Sequence, residues 1–335
     1  MVFNNTDWVW QVREDILEPE REIVDPHHHL WPSEDMGYRV PDLLADLTSG
    51  HNVVQTVFME CGAAYRKDGP DYLKPIGETV FVTESAAAMK AKGGPYIAAL
   101  VAHADLRLPL AQLDEVLDGH VEASKGLFKG IRHAGSRDAS GATLRIPGHA
   151  PPRLYAEPDF RRGVQHLGER GFTYDTWHYH HQNRDYLDLA RACPGTTMIL
   201  DHFGTPIGVG PYEGKRDEIF EAWKDDVAAI AECPNVHAKI GGLAMPDNGF
   251  GWDKRDIPPT SDEVVEQHER WYDHMIKCFG PERCMFESNF PVDRWSLNYV
   301  VYWNAMKKIA AKYPEAAKAA MFAGTARKVY SVPAA

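Results

Sequence analysis

Ile23-Val24-Asp25-Pro26-His27-His28-His29-Leu30-Trp31 reads as a short apolar strand that runs into three histidines. Alternate side chains of a strand share a face, so His27 and His29 point one way and His28 the other. Two imidazoles on one face can hold one metal ion, or one can position substrate while the other moves protons. A polar strand end without chemistry is the alternative. The residues that follow decide between them.

Outward from this stretch the chain alternates strand-like and helix-like segments. Strand patterns fall at 22–26, 53–60, 96–103, 127–132, 172–178, 197–202, 235–240 and 283–288. Several are unbroken apolar runs, as expected of strands buried on both faces in a parallel sheet. Helical patterns fall at 76–92, 110–124, 158–170, 184–192, 215–232, 262–279, 296–312 and 314–329. Alternation at this length means a doubly wound sheet or a closed (β/α)8 barrel. No Gly-x-Gly-x-x-Gly follows the first strand, which disfavours the dinucleotide-binding version. We therefore expect a single (β/α)8 TIM barrel over residues 22–335, preceded by an arm, residues 1–21. Long loops at 134–157 and 243–261 would follow the fourth and seventh strands and face a substrate.

The polar residues collect at the C-terminal ends of these strands, where barrel active sites are built. The first ends in the histidines, the second in Glu60-Cys61, the third in His103-Ala-Asp105 and the fourth in Arg132-His133. The fifth ends in Trp177-His178-Tyr179-His180-His181, the sixth in Asp201-His202, and the eighth in Glu287-Ser288-Asn289 before Asp293. The seventh carries His237 and Lys239, read, like His103, as barrel-wall contacts. Strand alternation puts Trp177 and Tyr179 on one side and His178 and His180 on the other. Asp201 is expected to point away and brace a neighbour, and Cys61 to be a buried thiol.

Composition narrows the partners. The chain has 335 residues, 44% hydrophobic and 25% charged, with a net charge of −12. That balance argues against nucleic acid and anionic membranes; the partner expected is a small-molecule substrate. No run approaches the ~20 apolar residues of a membrane helix. Five widely spaced cysteines without a CxxC pair, and no signal-peptide pattern at the N-terminus, lead us to expect a cytoplasmic protein.

Asp25-x-His27-x-His29, Gly130-Ile-Arg-His133, Leu200-Asp-His-Phe-Gly204 and Met285-Phe-Glu-Ser-Asn-Phe-Pro291 occur in that order. Together they resemble the amidohydrolase-related TIM-barrel family, the "amidohydrolase 2" branch. The resemblance is nearest to its lactonases of sugar and aromatic-acid breakdown, such as L-fuconolactonase, 4-sulfomuconolactone hydrolase and 2-pyrone-4,6-dicarboxylate lactonase. It implies a catabolic hydrolase that opens a lactone or small carboxylic ester. It also implies a divalent ion, zinc or manganese, at His27, His29 and His202, although some members work without metal. A homodimer is common in such barrels. The expected catalytic residues are His180, His202, Asn289 and Arg132; the expected substrate contacts are Glu60, Trp177, His178, Tyr179 and Asp293. Asn289 stands where the family usually has a catalytic aspartate, and a neutral amide cannot serve as the base. That departure keeps two alternatives open: a metal-dependent decarboxylase or hydratase, and a non-catalytic binding barrel.

Overall fold

The computed structural model describes residues 5–33 and 37–335. Eight strands, β1 (Ile23–His28), β2 (Val53–Met59), β3 (Tyr96–Ala102), β4 (Phe128–Arg132), β5 (Thr173–Thr176), β6 (Met198–Leu200), β7 (Val236–Ile240) and β8 (Cys284–Phe286), form one parallel sheet in sequence order. The ends meet at the C-terminal rim, where His28 bridges Phe290 in parallel. Asn289 N–H donates to His27 O at 3.0 Å and His29 N–H to Phe290 O at 2.8 Å. The sheet is thus an α/β TIM barrel, and the seam that closes it holds the first-strand histidines.

Apolar residues two apart, Val57 and Met59 on β2 and Ala99 and Val101 on β3, pack with Val24, Ile199 and Met285 into an inner core. Ala326, Tyr330 and Val332 from the C-terminus belong to the same cluster and plug the barrel floor. The opposite strand faces pack on the helices, as in two-sided parallel sheets. After the short α1 (Thr6–Val9), these are α2 (Val40–Leu47), α3 (Ile76–Lys92), α4 (Leu110–Ser124), α5 (Pro158–Glu169), α6 (Asn183–Ala192), α7 (Arg216–Ala231), α8 (Ser261–Phe279) and α9 (Tyr299–Ala310). Local chemistry sets some boundaries. Thr260 accepts from Glu263 N–H and Glu263 Oε2 from Thr260 N–H, a capping box that starts α8.

One element was not expected, and two expectations need correction. Helix α2 has no counterpart in the sequence reading, because eight residues show too little periodicity. The closing segment 314–329 is α10 (Glu315–Ala319), a π-turn over Ala320–Gly324 and α11 (Thr325–Val329). Strand β5 ends at Thr176, so strand alternation does not govern residues 177–181. The N-terminal segment lies along the barrel: Asn298 Nδ2 donates to Val9 O at 2.7 Å, and Ser261 N–H to Glu14 at 2.7 Å. The loops after β4 and β7 are tied together, Asp247 accepting from Arg145 N–H at 2.7 Å and Ile146 N–H at 2.9 Å. Among the described residues, no helix is long and apolar enough to cross a membrane.

Candidate active site

His27, His29 and His202 meet at the mouth of the barrel, with ring centroids 5.0 Å apart for His27–His29 and 4.4 Å for His27–His202. The chain holds each ring by Nδ1. His29 Nδ1 is 2.8 Å from Met59 O, and a carbonyl only accepts, so Nδ1 carries the proton and Nε2 a lone pair. His202 Nδ1 lies 2.7 Å from Glu287 Oε1. The other oxygen, Glu287 Oε2, is 2.8 Å from His27 Nδ1, off the axis of an aligned hydrogen bond but the nearest acceptor to it. Lys239 Nζ reaches the same nitrogen at 3.4 Å. The nearer carboxylate favours the proton on His27 Nδ1, which leaves Nε2 as an acceptor toward Arg132 Nη1 at 3.4 Å. One carboxyl thus stands within 2.8 Å of Nδ1 on two imidazoles, bonded to His202 and beside His27. Position 242 must be glycine, since at its φ of +76° a Cβ would collide with the His202 ring.

These rings fit a divalent ion. His27 Nε2 and His29 Nε2, both lone-pair bearers in these tautomers, face each other at 3.3 Å. Two nitrogens on one tetrahedral zinc at ~2.05 Å stand ~3.3 Å apart. A shared proton is the rival bridge. Burial first, helped by Lys239 at His27 and by Arg132 at both rings, drives both pKa values well below the usual imidazole range and opposes it. Neutral imidazoles with Nδ1 braced by carboxylate or carbonyl are the usual form of metal-ligating histidine. Asp201 adds a third group: both its oxygens are buried without a hydrogen-bond partner, 3.3 Å from Lys239 Nζ and 3.8 Å from His27 Nδ1. Donor atoms of His27, Asp201 and His202 lie within 4.8 Å of one another. The expectation that Asp201 points away is therefore corrected.

Beneath the rings lies an enclosed charge cluster. Lys239 Nζ is 2.8 Å from Asp175 Oδ1, which also accepts from Tyr330 OH. Asp175, Asp201 and Glu287 together face the single ammonium of Lys239. Burial raises the pKa of Asp201 to about 7 and that of Glu287 to about 8, with Lys239 opposing in both. A dication beside these carboxyls would favour their ionised forms, against the burial that raises them. Lys239 is thus no mere wall contact. The sequence reading missed Asp175 and undervalued Lys239; the signal was a charged side chain inside an apolar strand, which is costly unless paired.

A cavity of 340 Å³ opens above the rings, with His29, His202, Arg132, Glu60 and Asn289 among its lining residues and Trp31, Trp177 and Trp295 on its walls. Of the expected substrate contacts, Glu60 and Trp177 line it. Asp293 does not: it is buried, accepting from Asn289 Nδ2 at 2.9 Å and Ala244 N–H at 3.1 Å, and burial drives its pKa well up. It orients Asn289. His178 is also absent from the lining, fully buried against Tyr155 and Tyr186 with Nε2 3.0 Å from Asn183 Oδ1. The Tyr179 hydroxyl is spent on the 134–157 loop, accepting from Gly148 N–H and donating to Ile146 O. His180, expected as an acid or base, sits in a 3-10 turn after β5; its Nδ1 accepts from Ile207 N–H at 3.2 Å and its ring meets Tyr212. His178, Tyr179 and His180 were misplaced by the early end of β5, and Asp293 by the tight turn after β8. Arg132 lines the cavity, but it is not a free carboxylate clamp: Nε donates to Glu60 Oε1 at 2.7 Å and Nη2 to Glu60 O. Cys61 also lines the cavity, its thiol 3.5 Å from Leu30 O and pushed up by burial and then by Glu78 and Glu60.

The family model described as Amidohydrolase matches residues 24–332. The chain belongs to that family. An uncharacterized protein of Sinorhizobium fredii, y4mH, is 30% identical over 92% of this chain and 98% of its own length. The L-fucono-1,5-lactonase of Burkholderia multivorans is 26% identical, over 92% of this chain and 96% of its own. Among solved structures, an amidohydrolase from Burkholderia multivorans with bound zinc superposes with a TM-score of 0.71 at 24% identity, covering 93% of this chain and 99% of that one. That last likeness is one of fold. Family and relatives together make this amidohydrolase-family chain an enzyme of hydrolase type, with a His/Asp cluster suited to a divalent metal.

Proposed function

We propose that this protein hydrolyses a small lactone or carboxylic ester with the help of one divalent ion, zinc or manganese. The observation that carries the reading is the bracing of His27, His29 and His202 at Nδ1 beside a single cavity. The 26% identity to a named lactonase, along nearly its whole length, supports the choice of bond.

His27 and His29 would hold the ion through the two Nε2 atoms that face each other at 3.3 Å. Such an ion, when bound, supplies Lewis acidity and a water of near-neutral pKa. His202 is left for proton transfer, because its Nδ1 is fixed on Glu287 while its ring lines the cavity. Its Nε2 takes a proton from water and returns one to the ring oxygen that leaves as an alcohol. The fixed charge of Arg132 lies on the cavity floor, where the carbonyl oxygen gathers negative charge. Asn289, turned by Asp293, orients the reactants rather than deprotonating them.

The test is a lactone panel followed by acid release, on protein as purified, after chelation, and after return of zinc or manganese. Turnover that disappears with chelation and returns with metal is expected. Undiminished turnover on metal-free protein would overturn the metal assignment. Release of CO2 in place of a new acid would overturn the hydrolytic one. His29→Ala should lower kcat/KM by about a thousandfold in a protein that still folds.

A further inference from the structure

We infer that the substrate carries a flat apolar body, an aromatic or alicyclic ring fused to its lactone, and is not a polyhydroxylated sugar lactone or a dicarboxylate. The inference rests on the lactonase reading for the bond that is cut, and it concerns the rest of the molecule.

The cavity has two chemically distinct parts. His29, His202, Arg132, Glu60 and Asn289 gather where β1, β2, β4, β6 and β8 end. The remaining surface includes Trp31, Trp177, Trp295, Ile146, Met245 and Val292. A substrate whose carbonyl sits on the first part presents everything beyond it to the second. Among the described residues, a hydroxyl buried against the carbon faces of those walls would lose its water and gain no partner there, at roughly tenfold in affinity each.

The cationic group on the floor is already committed. Arg132 uses Nε and Nη2 on Glu60, and its Nη1 lies 3.4 Å from His27 Nε2 and 3.7 Å from Asp201 Oδ2. Lys239 is fully enclosed between Asp175 and Asp201. Among the described lining residues no other lysine or arginine awaits a second carboxylate. An anion placed there would meet Glu60 as well.

The walls are held in place. Arg145 lies 4.1 Å over the Trp295 ring, and Asp247 pins the backbone of Arg145 and Ile146. Trp177 meets Tyr179 edge-on at 5.9 Å, and Tyr179 in turn grips the same loop. Fixed aromatic walls suit a flat ring, which gains stacking and apolar burial without ordering a flexible loop.

The zinc-loaded protein is assayed with dihydrocoumarin and with L-fucono-1,5-lactone. Separately, calorimetry follows binding of their ring-opened products, 3-(2-hydroxyphenyl)propanoate and L-fuconate. We expect kcat/KM at least ~100-fold higher for dihydrocoumarin, two unpaired hydroxyls' worth, and tighter binding of its product by a similar factor. Trp177→Ala should raise KM for dihydrocoumarin about tenfold with kcat little changed. Equal or better use of the sugar lactone, or equal binding of L-fuconate, overturns the inference. Should neither lactone be hydrolysed, the lactonase reading falls, and the two product affinities still decide whether the walls prefer a flat apolar ring.

Discussion

Glu287→Gln isolates the most unusual feature of the site, one carboxylate serving two imidazoles. In the native protein Oε1 is 2.7 Å from His202 Nδ1 and Oε2 is 2.8 Å from His27 Nδ1. Glutamine keeps the shape but has one acceptor and one donor at these positions. Whichever imidazole faces the new NH2 must lose its N–H partner or change tautomer, and a tautomer change moves its lone pair away from Nε2. A hydrogen bond to a charged group contributes about 1.5–3 kcal/mol, roughly 10- to 150-fold. Loss of an outer carboxylate at metal-bound histidine has a comparable effect, ~10–100-fold in metal affinity. We therefore expect zinc affinity, measured by competition with a chromophoric chelator, to fall ~10–100-fold. At saturating zinc, kcat should still be at least ~30-fold down, because His202 is disturbed too. Circular dichroism should report an unchanged fold. Zinc affinity within threefold of wild type together with normal kcat would refute the tautomer argument.

Three further substitutions probe other parts of the same design. Gly242→Ala puts a Cβ into the His202 ring at a backbone angle that disfavours side chains, so we expect at least a ~100-fold loss of turnover from a soluble protein; near-normal kinetics would mean His202 is free to move. Asp247→Asn replaces two acceptor oxygens that hold Arg145 and Ile146 by one. It should loosen the cavity wall and raise KM ~5- to 10-fold while kcat holds, so a kcat effect alone would be contrary. Tyr330→Phe removes the hydroxyl that donates to buried Asp175 and should cost about 1.5–3 kcal/mol in denaturant unfolding. An unchanged midpoint would show that Lys239 and Thr173 satisfy that carboxylate without it.

The barrel was legible because it rests on local patterns. Apolar runs of strand length alternate with amphipathic helical stretches, and strand ends such as Glu60, Arg132 and His202 carry polar groups that a barrel sends to one mouth. The pairing of His27 with His29 was legible for the same reason, since a strand's two-residue period belongs to the backbone itself. Helix α2 was not, being too short for a periodic signal, and the π-turn in the last helix has no marker in sequence at all.

What the amino-acid order determined by itself, then, was the ring of strands, the rim on which chemistry gathers and the first-strand imidazole pair. What only the tertiary structure decided was which polar groups meet. His178 and His180 were ruled out of the cavity by the end of β5 at Thr176, beyond which chain direction depends on packing against α6 and the neighbouring loops. Asp175, Asp201, Glu287 and Lys239 lie on four different strands or just beyond them, and their pairing exists only once the barrel closes. Hydrogen bonds and charge pairs between residues 64 or 85 positions apart leave no local pattern, because the electrostatic interaction depends on distance through space and not along the chain.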